Sequence, residues 1–407
     1  MSNTLSAQPV RLVAFVGSYG TNVAQDGGGI HVFDLSADGS QLTPTSRARE
    51  PGEAGYLAYS AATRTLYAVD ERKTDGRGPV APPAAVHAFC VAPEDGRLVW
   101  LNSRLAPGPR PTFLSLDDTQ RVLVTANHGD FQHIERVTRD ALGEWVTEYV
   151  YDDSTVILYP LEADGSIGPI RDLRVMEGHG KDPNGSPQNG GHAQASPHAH
   201  CAVIDPSGRF VVVCDKGTDQ IFVYRLGATL EVASVYRMPD ETGPRHVEFD
   251  RRTGRAFVTC EFSSELASFA FDADTGTLRE LDRQSTVAPE HSGLNEPAEV
   301  RVHPNGELVY VNNRGEDSVA WFRVNAEGKL TRLGHHTISK SIHPGLAARS
   351  FTFDTTGAFM LLADRPANLV RSFAVDTASG ALTPLTEAHV LDPAFIAIVA
   401  LPSPAEG

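Results

Sequence analysis

Residues 202–226, AVIDPSGRFVVVCDKGTDQIFVYRL, hold the unit that decides the fold. Two apolar runs flank the turn Asp205-Pro206-Ser207-Gly208, which predicts a hairpin of two β-strands, a and b. A third apolar strand, c, follows at Ile221–Leu226 and carries an aromatic residue in its fourth position. A polar turn and a weaker strand, d, come next, so the stretch predicts a unit of four strands.

The aromatic-bearing strand occurs seven times along the chain. Its copies are Ile30–Leu35, Val86–Val91, Val156–Leu161, Ile221–Leu226, Leu266–Phe271, Val319–Val324 and Val370–Val375. Spacings of about 45 to 70 residues suit a repeat of four strands. The 36 glycines and 27 prolines fit short strands joined by turns, so the predicted class is all-β.

The two ends of the chain complement each other. The first unit begins directly at a b-type strand, Leu12–Gly17, whereas the apolar segment Pro393–Leu401 is left over after the seventh unit. Placing both in one sheet removes an open edge and closes the ring. We therefore predict a single domain, residues 1–407, that is a seven-bladed β-propeller of four-stranded antiparallel blades, with strand 393–401 completing the first blade. An open solenoid would not need these complementary half-blades.

Two insertions interrupt the repeat, at about residues 128–155 and 178–196. The first is charged and poorly periodic, and the second is rich in Gly, Asn and Pro. Loops of this length in a compact fold are often functional. We expect them at the rim, near a site.

The charge and the hydropathy pattern exclude several partners. A formal net charge of −16 opposes binding to a nucleic acid backbone. No apolar run reaches the roughly 18 residues of a membrane span, and Met1–Pro9 lacks the basic start of a secretion signal. We expect a soluble cytoplasmic protein with no nucleic acid or membrane partner, and both a monomer and a homo-oligomer stay open.

The four cysteines, Cys90, Cys201, Cys214 and Cys260, are far apart and form no C-x-x-C motif. Three of them lie in or beside apolar strands. This pattern predicts buried, reduced thiols.

The predicted topology brings two columns of side chains to one mouth of the propeller. Strands a and b are antiparallel, so the start of a and the end of b share a rim. The first column is Gly55, Thr112, His200, Arg245, Ala298 and Arg349, and the second is Tyr19, Glu71, His128, Lys216, Phe262, Arg314 and Arg365. Because the protein is acidic overall, this gathering of cations predicts a positive pocket for a small anion.

Turn-forming residues such as Asp215 would also follow strands in an inactive propeller. A cationic ring that includes a carboxylate and an imidazole, formed by His200, Arg245, Glu261 and Arg314, has little structural purpose at an open channel. We interpret this combination as functional.

Histidines cluster just before the hairpin that contains the turn Asp205–Gly208. His198 and His200 share a face if this stretch is extended, and His179 and His192 lie nearby. A divalent metal is conceivable, but no carboxylate or cysteine lies at a convincing ligand spacing. We predict no metal and no cofactor, and the absence of a G-x-S-x-G elbow or a phosphate loop argues against serine-hydrolase and nucleotide chemistry.

Several segments together carry a resemblance to a known family. They are Gly17-Ser18-Tyr19, Pro197–His200 with the following Asp205–Arg209 and Asp215–Asp219, Gly243–His246, Cys260–Ser264, and Asn312–Ser318. The chain resembles, over essentially its whole length, the seven-bladed propeller lactonases, which include bacterial 6-phosphogluconolactonases and fungal carboxymuconate lactonizing enzymes. The family often has an Arg-Gln pair before the P-H-x-H segment, whereas Ala193 precedes Gln194 here.

The resemblance implies a catalytic set of four residues. They are His200, Arg245, Glu261 and Arg314. As candidates for binding substrate we add five more, namely Tyr19, Gln194, His198, Lys216 and Arg349. The departures from the family pattern lie near the mouth and therefore leave the identity of the substrate open. We do not assume that the substrate carries a phosphate.

The implied activity is hydrolysis of a small anionic sugar or sugar-acid lactone without a metal. Glu261 or His200 would take a proton from the attacking water, and Arg245 or Arg314 would stabilise the oxyanion or hold a carboxylate or phosphate. Two alternatives stay open, namely cyclisation of a carboxylated muconate and a non-catalytic scaffold that binds proteins.

Overall fold

The computed structural model describes residues 10–20, 27–73, 83–181 and 193–402. Blade 1 combines β1 (Val10–Ser18), β2 (Gly29–Leu35), β3 (Leu42–Ala48) and β30 (Pro393–Pro402). Blade 2 consists of β4 (Ala54–Ser60), β5 (Thr65–Asp70), β6 (Ala85–Val91) and β7 (Leu98–Leu105). Blade 3 consists of β8 (Pro111–Asp117), β9 (Val122–Asn127), β12 (Thr155–Pro160) and β13 (Asp172–Val175).

The other four blades each use consecutive strands. Blade 4 has β14 (Ala199–Ile204), β15 (Phe210–Asp215), β16 (Gln220–Leu226) and β17 (Leu230–Arg237). Blade 5 has β18 (Pro244–Asp250), β19 (Arg255–Cys260), β20 (Glu265–Asp272) and β21 (Thr277–Ser285). Blade 6 has β22 (Glu296–Val302), β23 (Leu308–Arg314), β24 (Ser318–Val324) and β25 (Leu330–Thr337). Blade 7 has β26 (Phe351–Phe353), β27 (Phe359–Asp364), β28 (Leu369–Val375) and β29 (Leu382–His389).

The ring closes through the C-terminal strand. β30 pairs antiparallel with β1 along its length, with Leu12 opposite Ala400 and Gly17 opposite Phe395. The predicted all-β propeller of seven four-stranded blades is confirmed. Closure leaves β1 hydrogen-bonded on both sides and gives the first blade four strands like the others.

The hairpin turn quoted first shows why the repeat folds as it does. Asp205 Oδ1 accepts hydrogen bonds from the backbone N–H groups of Arg209 and Phe210, at 2.9 and 2.8 Å. Gly208 has a φ of +71°, a conformation that favours glycine. The strand that follows, β15, is buried at every position. The Asp205 carboxylate thus stabilises the turn that leads the chain into the buried strand β15.

Tyrosine hydroxyl groups tie neighbouring blades together. Tyr67 of blade 2 donates to the carbonyl of Gly165 at 2.7 Å, and Tyr310 of blade 6 donates to that of Gly380 at 2.8 Å. Both side chains are fully buried between blades. Each ring fills apolar space while its hydroxyl finds the partner that burial demands.

The innermost strands carry a bulge near the same mouth. The register shifts within Ala54–Leu57 of β4, Pro111–Phe113 of β8, Ala199–Cys201 of β14, Pro244–Val247 of β18 and Pro297–Val300 of β22. A bulge interrupts the alternation of side chains and re-aims them. Neighbouring residues such as Arg245 and His246 can therefore line the channel together.

Three aromatic rings lie across the channel and form what we call the aromatic barrier. Its members are Tyr56, Phe113 and Phe395, and the ring centroid of Tyr56 lies 4.1 Å from that of Phe113 and 3.8 Å from that of Phe395. All three side chains are buried. On the far side of the barrier a cavity of about 530 Å³ is lined in part by Glu248, Arg251 and Arg301.

The first insertion is more regular than expected. Where we predicted a rim loop, residues 128–155 contain an antiparallel hairpin of β10 (His133–Arg139) and β11 (Trp145–Tyr151). The cross-strand pairs combine aromatic, β-branched and charged residues, which hides the alternation in the sequence. The base of this hairpin does lie at the mouth, where Asp130 and Phe131 line a cavity.

The second insertion falls partly outside the described residues. Residues 182–192, and with them His192, are not described. Its described parts are residues 178–181 and 193–196, and in the second part Ala193, Gln194 and Ser196 are buried.

All four cysteines are free thiols, as predicted, and Cys201, Cys214 and Cys260 are buried. Within the described ranges, no helix has the length and apolar character needed to cross a membrane.

Candidate active site

A cavity of about 300 Å³ opens at the predicted mouth, and we call it the mouth cavity. Eight members of the two predicted columns line it, namely Glu71, Thr112, His128, His200, Lys216, Arg245, Arg314 and Arg349. Glu261 also lines the cavity. The topology thus brings together all four residues of the predicted catalytic set.

Glu261 is the centre of an ion-pair network. Its Oε1 accepts a hydrogen bond from Lys216 Nζ at 2.6 Å, and its Oε2 accepts one from Arg314 Nη2 at 2.8 Å. Arg245 Nε lies 2.8 Å from the same Oε2. All four side chains are at most 6% exposed. One carboxylate therefore holds three buried cations in fixed positions.

The network fixes the charge of its members. Burial alone would raise the pKa of Glu261, but Lys216, Arg314 and Arg245 hold it well below its ordinary value. Burial and the nearby Arg314 lower the pKa of Arg245 to about 10, so this guanidinium remains charged at neutral pH. Glu261 is thus a permanent carboxylate and a poor proton acceptor.

His200 lies beside this network. Burial, together with the positive charge of Arg245, lowers the pKa of His200 well below its ordinary value, so the imidazole is neutral at neutral pH. Its Nδ1 lies 3.2 Å from His246 Nε2. Thr112 Oγ1 donates to the backbone carbonyl of His200 at 3.0 Å and holds the bulged strand in place. A neutral imidazole next to fixed positive charge suits proton transfer from a bound water.

His198 does not line the mouth cavity beside His200. The bulge at Ala199–Cys201 interrupts the alternation on which the prediction of a shared face rested. The ring of His198 is fully buried and stacks on that of His128 at 4.5 Å, and its Nδ1 is 2.9 Å from the carbonyl oxygen of His128. His198 therefore packs against His128, which lines the mouth cavity, and does not line that cavity itself.

Gln194 is also placed differently from its predicted role in binding substrate. It is fully buried, and its Nε2 donates to Asp219 Oδ2 at 2.8 Å and to the carbonyl of Lys216 at 3.1 Å. Gln194 anchors the segment that precedes β14 and does not line the mouth cavity.

A second cavity, of about 340 Å³, adjoins the first one, and we call it the anion cavity. It shares Glu71, Arg110, Gly345 and Arg349 with the mouth cavity. Five cationic side chains line it against two carboxylates, namely Arg72, Lys73, Arg110, Arg349 and Arg365 against Glu53 and Glu71.

Tyr19 lies in the wall of the anion cavity, where it connects charged residues of different blades. Its hydroxyl donates to Glu71 Oε2 at 2.6 Å and accepts from Arg349 Nη1 at 3.2 Å. The guanidinium carbon of Arg365 lies 4.7 Å from the centre of the tyrosine ring. A Cβ on Gly55 would come within 2.2 Å of Glu71 Oε2 and 2.9 Å of Glu71 Cβ, so a larger residue here would displace the Glu71 side chain.

The expected positive pocket is divided unevenly between the two cavities. The mouth cavity is nearly balanced, because five cationic side chains face four carboxylates, namely Glu71, Asp130, Glu261 and Glu296. The larger excess of cationic side chains lines the anion cavity. The cations of both cavities are held by ion pairs, since in the anion cavity Arg72 pairs with Asp70, Lys73 with Asp152 and Arg365 with Asp392.

Sequence reasoning missed several residues that line the site. Tyr56, His246 and Glu299 line a recess at the floor of the mouth cavity, and all three lie within bulges of the innermost strands. A strict alternation of side chains would have pointed them away from the channel. Asp130 and Phe131 were missed because they belong to the insertion.

Among the residues with described positions, no three His, Cys, Asp or Glu side chains are arranged to hold a metal ion. The imidazoles at the mouth are instead engaged with protein atoms: His128 Nδ1 is 3.0 Å from the carbonyl oxygen of Gly129, and His198 Nδ1 contacts that of His128.

Fold and site together define a β-propeller with a charged, imidazole-bearing cavity at one mouth of its channel. The sequence profile of the family described as lactonase, 7-bladed beta-propeller matches residues 13–398, so the chain belongs to this family. The resemblance noted from the sequence is thereby confirmed.

Individual relatives agree with this assignment. A 6-phosphogluconolactonase of Bacillus subtilis is 27% identical over 375 residues, which cover 91% of this chain and 94% of the relative. The structure of a periplasmic gluconolactonase from Pseudomonas aeruginosa is similar with a TM-score of 0.80 and 26% identity, over 97% of this chain and 100% of that one. A putative 6-phosphogluconolactonase from Bacteroides fragilis has a TM-score of 0.77 and 25% identity, over 98% and 99% of the two chains.

Proposed function

We propose that the protein hydrolyses the lactone of a sugar acid at the mouth cavity. The observation that carries this proposal is the neutral imidazole of His200 beside Arg245, whose charge is fixed by Glu261. A proton acceptor next to an oriented guanidinium is what addition of water to an ester carbonyl requires. Membership of the lactonase family supports the same reaction class.

The reaction can be assigned to named groups. A water molecule adds to the acyl carbon and loses a proton to His200, while the carbonyl π electrons move onto the oxygen. Arg245 and Arg314 stabilise that oxyanion. The intermediate then collapses, the bond between the acyl carbon and the ring oxygen breaks, and the leaving alkoxide takes the proton back from His200. The product is the open hydroxy acid.

The recess at the floor of the mouth cavity suits the attacking water. Its volume is about 20 Å³, which accommodates one water molecule. His200, Arg245 and Thr112 line it. Water held there would lie next to the proposed base and on the inner side of a lactone that enters from the mouth.

Glu261 has a different role in this proposal from that of a base. Its carboxylate is committed to Lys216, Arg245 and Arg314. It would hold the two arginines in the geometry that receives the oxyanion. Of the two candidate bases that the sequence left open, the proposal therefore selects His200.

The anion cavity supports a substrate with a second charged group. It is contiguous with the mouth cavity and contains the excess of cations, including Arg349 and Arg365. A phosphate or carboxylate at the far end of the sugar acid could bind there while the lactone carbonyl faces Arg245. The relatives named 6-phosphogluconolactonase support a phosphorylated sugar-acid lactone. Tyr19, Lys216 and Arg349 are the proposed substrate-binding residues.

Three further parts of the proposal stay predictions, namely independence of metals and cofactors, a cytoplasmic location and the absence of nucleic acid or membrane partners. The location is of interest because one similar structure is of a periplasmic enzyme.

A panel of lactones assayed by proton release tests the function. The panel contains phosphorylated and plain aldonolactones and a muconolactone, and the variants are His200→Asn and, as a matched control on the outer strand of blade 6, His335→Asn. We expect hydrolysis of aldonolactones, faster with a phosphate, in the wild type and the control but not in His200→Asn. Turnover of the muconolactone alone would favour the cyclase, and no turnover of any lactone would favour the scaffold.

A further inference from the structure

His246 makes contacts that determine where its protons are. Arg245 Nη1 lies 3.1 Å from His246 Nε2. A guanidinium only donates hydrogen bonds, so His246 Nε2 must be an acceptor. In the neutral ring the proton of His246 then resides on Nδ1, which faces Glu299 Oε1 at 3.4 Å.

The proton of His200 can be located from the same contacts. Its Nδ1 is 3.2 Å from His246 Nε2, which is already an acceptor. His200 Nδ1 must therefore carry the proton and donate it, and Nε2 of His200 is left with a lone pair. Within the described part of the chain, no hydrogen bond to this Nε2 is present, and the ring lines the mouth cavity. The acceptor atom is thus the one that is available to a bound water.

Glu299 ends the chain of contacts. Its side chain is 3% exposed, and the bulge at Pro297–Val300 lets it line the recess. Its backbone N–H donates to Asn312 Oδ1 at 2.8 Å, and Arg301 Nη2 lies 3.5 Å from Oε1. Oε2 is buried and has no hydrogen-bond partner among the described residues. A carboxylate placed in this way is costly to bury, which favours a role beyond packing.

The other charges around His200 do not replace Glu299. Arg245 and Lys216 are positive and oppose protonation of His200, and His128 and His246 are neutral imidazoles. The four carboxylates that line the mouth cavity are all engaged elsewhere. Glu261 is shared by three cations, Glu296 pairs with Arg314, Asp130 pairs with Arg110, and Glu71 accepts a hydrogen bond from Tyr19. Glu299 is the carboxylate that contacts the imidazole pair of His200 and His246, because its Oε1 lies 3.4 Å from Nδ1 of His246.

We propose that Glu299 and His246 are positioning residues that fix the tautomer of His200, so that Nε2 of His200 accepts the proton of the attacking water. When that proton arrives, the positive charge of His200 is stabilised through His246 by the carboxylate of Glu299. This inference rests on the proposed function, since it assigns the base of the same reaction.

The tautomers can be measured without any substrate. In wild-type protein labelled with ¹⁵N at histidine, NMR should show His200 and His246 both neutral and protonated on Nδ1 at neutral pH. Glu299→Gln should shift the Nδ1 signal of His246, because a neutral amide then replaces the carboxylate that faces this N–H group. A wild-type His200 that is protonated on Nε2 would overturn the proposal.

Kinetics on the best lactone of the panel provide the second arm. We expect Glu299→Gln to lower kcat by about 10- to 100-fold with little change in KM, and to move the acid limb of the pH profile to lower pH, because loss of a nearby negative charge weakens the base. Glu299→Asp should recover part of the loss. The control is Glu248→Gln, which removes a carboxylate that also contacts Arg301 but lies on the far side of the aromatic barrier. Its kcat and pH profile should match the wild type.

The two proposals fail in different ways. If the tautomers are as stated but no lactone is hydrolysed, the proposed function is wrong and the arrangement of His200 stands. If lactones are hydrolysed and Glu299→Gln retains the wild-type kcat and pH profile, the positioning role is wrong.

Discussion

Arg245 and Glu261 form a single electrostatic unit, with Nε of the arginine 2.8 Å from Oε2 of the glutamate. The two residues lie near the start of β18 and just after β19, so one antiparallel hairpin carries the chain away from the mouth and back to it. Any change at one residue therefore alters the charge that the other one faces.

Arg245→Ala should lower kcat/KM by an amount that corresponds to about 2 to 5 kcal/mol, mainly through kcat, because a donor to the oxyanion is lost. Arg245→Lys should recover only part of it, since a point charge cannot reproduce the planar fork. Steady-state kinetics check this, with Arg251→Ala beyond the aromatic barrier as control. If Arg245→Ala raises KM but retains kcat, Arg245 holds the substrate and does not stabilise the transition state.

Glu261→Gln should destabilise the protein as well as inactivate it. It leaves Lys216, Arg245 and Arg314 buried without their shared carboxylate. Breaking a buried pair typically costs about 3 to 5 kcal/mol. Urea unfolding should show this loss, whereas Glu307→Gln on the surface should show none. Unchanged stability with abolished turnover would instead indicate that Glu261 is the base.

Stability should fall in mild acid, with a contribution from His198. Burial lowers the pKa of His198 from 6.5 to about 3, so below pH 6.5 the unfolded state binds a proton that the folded state does not. Between pH 6.5 and pH 5 this one residue should cost roughly 1.5 kcal/mol of unfolding free energy. His198→Asn should show a shallower loss over that window in urea titrations. An identical pH dependence in both proteins would contradict the assigned burial effect.

Activity should survive removal of divalent metals. The ring nitrogens Nδ1 of His128, His198 and His200 are occupied by contacts with protein atoms. Dialysis against a chelator should leave kcat/KM unchanged on the best lactone. Full loss of activity that zinc or another divalent ion restores would show that the histidine cluster binds a metal.

Truncation before Pro393 should abolish cooperative folding. It removes β30, exposes the inner edge of β1 and uncovers apolar surface in the first blade. Thermal unfolding followed by circular dichroism checks this, and a chain that lacks only residues 403–407 is the control. A cooperative transition at the wild-type temperature in the truncated protein would contradict closure by β30.

The fold could be predicted from the sequence because each blade repeats the same local signals. An aromatic-bearing strand recurs seven times, and in six blades it follows an apolar pair of strands joined by a turn such as Asp205–Gly208. The spare strand at the C-terminus supplies the missing strand of the first blade and closes the ring. The positions of His200, Arg245, Lys216 and Arg314 at one mouth follow from this topology and the antiparallel order of the strands.

The site residues that the sequence analysis missed or placed differently have one main physical cause in common. Prediction by alternation assumes regular strands, and bulges change which side chains face the channel. For this reason Glu299 and His246 were missed, and His198 lies outside the lining of the mouth cavity to which His200 belongs. The role of Gln194 as an anchor depends on contacts with Asp219 and Lys216 that no local pattern encodes.

The aromatic barrier lies between the mouth of the channel and its other end. Tyr56 and Phe395 line both the recess and the cavity beyond it, and Phe113 packs on Tyr56. If the proposed function is right, the opened acid leaves by the mouth through which the lactone entered. We therefore expect the product to be a competitive inhibitor of hydrolysis.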